Sequence, residues 1–238
     1  MDLFLTKFLL MERIRFKKYI KTNKPVTNKS SNEFEINNWV LSDFLVRKII
    51  PIVGLNSFPL NELLLMTGSI CRLRPTHVFV WGTYIGRSAR IFYETSEEFG
   101  LEIQIHSIDL PDEISHDEHP GRVRGLMVRK YKDVKLHQGD GLEIAMKIVK
   151  SLDKDSKILF FLDADHSYDS VVRELTTIMK ELPEANILLH DTFYQSPDSK
   201  YNIGPYLAIK NCLGNINNNF SIISTNTGLP GMTLLYHK

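Results

Sequence analysis

Val78 to Ser88 reads VFVWGTYIGRS: a short apolar run, a turn bounded by Gly82 and Gly86, and the start of an amphipathic segment. Residues 77–81 have the length and β-branched content of a buried parallel strand, and residues 88–99 carry apolar side chains at roughly helical spacing. Glycine on both sides of the turn lets backbone approach a ligand closely. The first turn of the helix then offers that ligand N–H groups without intrahelical partners. Taken alone, the pattern equally describes a tight strand-to-helix connection with no ligand.

The rest of the chain repeats the arrangement. IQIHSID ends at Asp109, at the separation from a glycine turn where an acid accepts hydrogen bonds from ribose hydroxyls. Residues 134–137 run into Gly139, Asp140 and Gly141. KILFFLDAD ends in Asp163 and Asp165 with His166 next, and ANILLHD ends in His190 and Asp191. Helical patterns over about 119–131, 141–152 and 168–181 separate these runs, and two more, 38–50 and 59–73, precede the first strand. Strands alternating with helices predict one parallel, doubly wound α/β sheet with right-handed crossovers. FSIISTNTGLPGMTLLYH, near the C-terminus, reads as two strands around a turn. Every polar cluster falls at the C-terminal end of a strand, the edge where open α/β sheets bind ligands.

At 238 residues, 43% apolar and 24% charged, the chain is sized for a single core. No segment is long and apolar enough to span a bilayer, and Lys7, Glu12 and Arg13 interrupt what would be a signal-peptide core, so the cytoplasm is expected. Cys71 and Cys212 lack metal-ligand spacing and read as reduced core thiols. Residues 1–30 hold eight Lys or Arg against Asp2 and Glu12, a balance of +6 that leaves −5 for the remainder of the +1 total. Phe4, Phe8, Met11 and Ile14 place a basic amphipathic helix there. It is expected to dock on its own domain or on a second copy of the chain, a membrane surface or an acidic partner being the alternative. A polar connection over 22–33 follows, dividing the chain into an arm, 1–37, and a domain, 38–238. The acidic remainder shows no basic stripe interleaved with aromatics, which argues against nucleic acid as a partner.

These residues carry a family resemblance. Gly82-Thr83-Tyr84-Ile85-Gly86-Arg87-Ser88 resembles the G-x-Y-x-G-x-S turn of the catechol and caffeoyl-CoA O-methyltransferases, which bind S-adenosylmethionine. FLDADHSYDS, residues 161–170, resembles the D-x-D-[KH] segment of the same cation-dependent group. From about residue 39 onward the pattern is also similar to the set holding macrolide sugar O-methyltransferases and cephalosporin-hydroxylase-like proteins. The resemblance implies a class I, Rossmann-like fold: a seven-stranded sheet, mostly parallel with an antiparallel C-terminal hairpin, and helices on both faces. It implies S-adenosylmethionine as cofactor, with Gly82, Thr83, Tyr84, Gly86 and Ser88 along its methionine side. Asp109 would then bind the ribose, Asp140 or Gly141 would lie near the adenine, and Asp163 and Asp165 would lie beside the cofactor.

It further implies that Asp163 and Asp191 ligate a divalent cation, magnesium by preference, with His190 as the candidate third ligand and His166 as general base. Neighbouring strands lie about 4.8 Å apart, so carboxylates at adjacent strand tips converge on one hard cation. Such an ion stabilises the alkoxide form of an acceptor hydroxyl whose proton the histidine removes. Plainer roles stand beside these: Asp140 as a helix N-cap, Asp163 as a strand-end acid, His190 as a hydrogen-bonded core histidine, and His166 as a residue at a helix start. One departure is Val80, where such families carry an acid that anchors the methionine ammonium. Residues 112–125, with His116 and His119, and residues 192–206, with Phe193, Tyr194, Tyr201 and Tyr206, read as long loops shaping the site of a small-molecule or carbohydrate hydroxyl acceptor. Two rival readings remain. A nicotinamide-dependent oxidoreductase would need glycine where Tyr84 stands. A non-catalytic cofactor-binding or scaffolding protein is suggested by Val80 and the basic arm.

Overall fold

A computed structural model of the protein describes residues 7, 9–15, 18, 26–27, 31, 33–56, 58–114, 123–194, 201–215 and 220–237. Seven strands form one sheet: β1 (His77–Trp81), β2 (Gln104–Asp109), β3 (Val134–Gln138), β4 (Ile158–Leu162), β5 (Asn186–His190), β6 (Ser221–Ser224) and β7 (Met232–Tyr236). Their spatial order is β3-β2-β1-β4-β5-β7-β6. The first five are parallel, and β7 runs antiparallel to β5 and to β6. The expected α/β class, parallel core and C-terminal hairpin are all present.

Helices named here are α1 (Asn38–Phe44), α2 (Ile50–Val53), α3 (Leu60–Leu73), α4 (Arg87–Phe99), α5 (Gly141–Val149), α6 (Tyr168–Glu181) and α7 (Gly204–Asn215). They sandwich the sheet, which is why β4 is buried at every position and is apolar throughout. Val78 and Val80 of β1 pack into the layer of α1, α3 and α4. Phe79 and Trp81 alternate to the other face, against α5, α6 and α7. The register pairs Trp81 with Leu162 and with Ile108, so the strand tips of β1, β2 and β4 lie level and their following loops share one edge.

Two expectations are corrected. The helix expected over 119–131 is a run of turns at 124–130, held by short-range bonds such as Val128 N–H to Gly125 O and Tyr131 N–H to Val128 O. Gly125 has φ +66°, and Leu136 fills the space of a Cβ there, so a regular helix is broken at that residue. The 38–50 helix is interrupted by a π-helical turn at Leu45–Ile49 ahead of Pro51, which has no N–H to continue the ladder. Residues 9–15 are helical, but Leu9, Leu10, Met11 and Ile14 are all exposed, so these side chains do not dock on the chain's own core. Phe4, Phe8, His116, His119 and much of 22–33 lie outside the described residues. Among the described residues no helix is long and apolar enough to cross a membrane.

Candidate active site

The turn after β1 owes its glycines to the protein itself. A Cβ on Gly82, at φ +81°, would lie 2.1 Å from the Asp163 carbonyl oxygen, because the ends of β1 and β4 meet there. A Cβ on Gly86, which caps α4 at φ +93°, would lie 2.8 Å from Val128 Cγ2. Gly141 packs on the Trp81 ring, 2.8 Å from Cγ to the Cβ it lacks. Close approach of backbone to a ligand is therefore not the reason for these glycines. Their effect is to press the turn, the β4 tip and the start of α5 around one opening. Thr83 and Ser88 are buried, Thr83 bonding the Ser107 hydroxyl at 2.8 Å.

Asp109 ties this edge together. Its Oδ2 accepts the Tyr84 N–H at 2.8 Å and its Oδ1 accepts the Leu110 N–H at 2.7 Å. Arg124 lies 3.6 Å from Oδ1 and bonds Asp112 at 3.0 Å, so the 123–130 turns close over the β2 tip. Asp140 is the N-cap of α5, accepting the Glu143 N–H at 2.9 Å and pairing with Arg173 at 2.6 Å. Burial would raise its carboxyl, but that amide and guanidinium hold it below the usual range. Asp165 accepts the Ser167 N–H at 2.9 Å and the Ser170 hydroxyl at 2.7 Å, and so fastens the start of α6. The same balance, burial outweighed by these donors, keeps its carboxyl low. Asp140 and Asp165 thus both work as cap residues, whatever else they touch.

At the tips of β4 and β5 the structure brings Asp163, His166, His190 and Asp191 together. His166 Nε2 lies 3.2 Å from Asp191 Oδ2 and 3.9 Å from Asp163 Oδ1. His190 Nδ1 lies 2.9 Å from Asp163 Oδ1. Its Nε2 lies 3.0 Å from Oε2 of Glu62, a residue of α3 that is 1% exposed. Burial would lower the His190 pKa, but Asp163 and Glu62 raise it well above an ordinary imidazole. Asp191 sits at φ +56°, and its Oδ1 accepts the Tyr201 hydroxyl. Tyr201 is thus a clamp on Asp191, and burial together with that carboxylate raises its phenol pKa.

A cavity of about 1270 Å³ connects the two regions, reaching from Tyr84 and Asp109 past Trp81 and Gly141 to His166 and Asp191. That space exceeds what a nucleoside-sized ligand needs. Trp81 lines it with a flat ring, and among the described residues its buried indole N–H has no hydrogen-bond partner. A planar base with a ring acceptor would satisfy that donor, so the wall fits an adenosyl cofactor. Glu174 of α6 also lines the cavity, and burial pushes its carboxyl up to about 8. The expected metal set fits poorly. A histidine ligand needs a free ring lone pair, whereas both His190 nitrogens face carboxylate oxygens. Among the described residues no group of three His, Cys, Asp or Glu is arranged to hold an ion. These contacts give His190 the bonding of a buried hydrogen-bonded histidine, the plainer of the two roles set out for it.

Glu62, Trp81 and Glu174 escaped the sequence reading. Glu62 left one signal, a lone acid in the apolar run LNELLLMTG.

Residues 79–192 match a family model described as a methyltransferase domain. That stretch runs from β1 through the tip of β5, and so spans both ends of the cavity. That stretch of the chain is similar to a methyltransferase domain. Its fold is shared with an O-methyltransferase from Bacillus cereus solved with S-adenosylhomocysteine: 14% identity, TM-score 0.53, covering 92% of this chain and 100% of that one. It is also shared with the S-adenosylhomocysteine-bound methyltransferase PaMTH1 of Podospora anserina, at 17% identity and TM-score 0.51, covering 96% of each chain. A third similar structure is CalS11, a TDP-rhamnose 3'-O-methyltransferase of calicheamicin biosynthesis, at 16% identity and TM-score 0.51, covering 94% of this chain and 92% of that one. Among curated proteins, none matches the sequence.

Proposed function

We propose that the chain transfers a methyl group from S-adenosylmethionine to a hydroxyl of a small-molecule or carbohydrate acceptor. The observation that carries this reading is the single cavity joining the Asp109 edge to the His166–Asp191 pair. Asp109 keeps acceptor capacity beyond its two backbone N–H bonds, since a carboxylate has about four lone-pair sites, and the remainder suits ribose hydroxyls. Trp81 and Gly141 form the flat wall for the adenine. When bound, S-adenosylmethionine supplies a methyl carbon on a positively charged sulfur.

His166 takes the acceptor proton. With its Nε2–H donated to Asp191, the Nδ1 lone pair is left to receive the hydroxyl proton, and Asp191 stabilises the imidazolium that forms. Tyr201 holds Asp191 from the other side and fixes the direction of the pair. The acceptor oxygen would take that methyl carbon, the electron pair of the C–S bond staying with sulfur. The aromatic residues Tyr194 and Tyr206, with ring centroids 4.9 Å apart, pack on each other in the region after β5.

A binding protein without turnover is the second reading. It is favoured by Val80, which is fully buried in the core instead of offering a carboxylate to the cavity. Calorimetric titration with S-adenosylhomocysteine and with NAD separates the cofactor classes: the former is expected to bind one per chain, the latter not at all. Tritiated methyl transfer to mixed phenolic and sugar acceptors then tests turnover. His166→Ala is expected to lower transfer about 100-fold or more while leaving S-adenosylhomocysteine affinity unchanged. Binding of NAD alone would sink the proposal, and cofactor binding without transfer to any acceptor would favour the second reading.

A further inference from the structure

We propose that Glu174 and Trp81 together read the base of the cofactor, the Glu174 carboxyl accepting the exocyclic amino group of an adenine and the Trp81 indole donating to one of its ring nitrogens. This rests on the methyl-transfer reading and deepens it by assigning the residues that select the base. On α6, Val171, Leu175 and Ile178 are buried and mark the face turned toward the sheet. Glu174 falls three residues after Val171 and four before Ile178, so an acid stands on the stripe where helical periodicity calls for an apolar side chain. It lines the cavity beside Trp81 and Gly141. Among the described residues its carboxyl makes no hydrogen bond, and the adjacent Arg173 turns to Asp140 instead, at 2.6 Å.

An acid on a core stripe is costly unless something meets it, and burial pushes this carboxyl up to about 8. A second polar group stands on the same wall. Trp81 is 1% exposed, and among the described residues its Nε1–H has no partner. One acceptor from α6 and one donor from β1 thus line the cavity next to the flat surface that Gly141 and the Trp81 ring form. Adenine carries the complementary set, amino N–H groups on its edge and ring nitrogens with lone pairs. In either protonation state a Glu174 oxygen keeps a lone pair for the amino group. Asp140, which the resemblance places near the adenine, is already committed, with Oδ1 on the Glu143 N–H and Oδ2 on Arg173. A site built to hydrogen-bond one N–H rejects an analogue without it, because its own buried groups are then left unpaired.

Calorimetry on the full chain compares S-adenosylhomocysteine with its 6-deamino analogue, in which hydrogen replaces the amino group of the purine. The parent chain is expected to bind the amino form at least about tenfold more tightly, the effect of one hydrogen bond made away from water. Glu174→Leu is expected to abolish that preference while unfolding at higher urea, since an acid leaves the apolar stripe. Glu174→Gln keeps an acceptor oxygen and is expected to retain the preference. A parent chain that binds both ligands equally overturns the proposal, and so does a Glu174→Leu chain that keeps the preference. Proton–nitrogen NMR follows the Trp81 indole, its signal identified by its loss in Trp81→Phe. That N–H is expected to move downfield as S-adenosylhomocysteine binds; a signal unmoved at saturation would overturn the pairing of Trp81 with the base. Failure of S-adenosylhomocysteine to bind would remove the methyl-transfer reading itself, whereas equal binding of the two ligands removes only the base assignment.

Discussion

Two groups of histidines lie on the same sheet with opposite electrostatics. His77, His106 and His137 stand side by side on β1, β2 and β3, linked by ring-nitrogen contacts of 3.2 Å on either side of His106. His106 stacks on Phe79 at 4.6 Å and is 7% exposed. Burial, then the two flanking histidines and Lys135, push it down to about 4, and burial lowers its two neighbours as well. His190 is as buried as His106, yet Asp163 and Glu62 reverse the direction of its shift. Burial alone therefore does not decide the charge of a histidine in this fold. Its partners do: the ring nitrogens of the strand-tip group face carboxylates, whereas those of the row face other histidines.

Removing one partner from the charged group gives the largest expected effect. Glu62→Leu leaves the His190 Nε2–H and the Gly231 N–H buried without acceptors, and a broken buried pair of this kind costs about 3–5 kcal/mol. Urea unfolding measures it; a loss under about 1 kcal/mol would show that the two histidine groups differ less than their surroundings suggest.

The uncharged group is probed by acid. His106 has a folded-state pKa near 4 against an ordinary 6.5, so the unfolded chain takes up a proton first as pH falls. Its contribution is complete above 6.5 and is lost at about 1.4 kcal/mol per pH unit down to 4, roughly 3 kcal/mol in all. His190 has the opposite sign: its contribution is complete below 6.5 and is lost as pH rises toward its raised folded value. Stability measured against pH should therefore fall on both sides of this region, and His106→Phe should flatten the acid side alone. An unchanged acid limb in that variant would separate the row from the pH response.

The smallest effect is expected at Tyr201→Phe, which removes the hydroxyl from Asp191 Oδ1 but leaves the carboxylate its contact with His166. Loss of one such hydrogen bond costs about 1 kcal/mol in urea unfolding, and the freed Asp191 should lower transfer more than it lowers stability. Equal effects on both would reduce Tyr201 to a packing role.

Much of this was legible in the chain. Buried strands write themselves as apolar runs, so β1, β4 and β5 and the polar residues that end them could be placed, and the adjacency of β4 and β5 brought Asp163, His166 and Asp191 to one edge. Local hydrogen bonding made Asp140 readable as a cap. Other features were not legible, because they depend on contacts between distant segments. Gly82 answers to the Asp163 carbonyl and Gly86 to Val128, neither of which local sequence names. The turns at 124–130 replaced a helix because Leu136 occupies the side-chain space at Gly125.

Periodicity and strand-end chemistry determined, from the sequence alone, an α/β sheet with its reactive residues along the carboxyl edge. Tertiary structure decided what those residues are to one another. It carried Glu62 against the His190 ring and Gly231 onto Glu62, from opposite sides of His190 along the chain, and it drew Tyr201 onto Asp191. The reason is physical: a side chain's charge and hydrogen-bond partners depend on what lies within about 3 Å, and such neighbours are chosen by the packing of the whole sheet and its two helix layers.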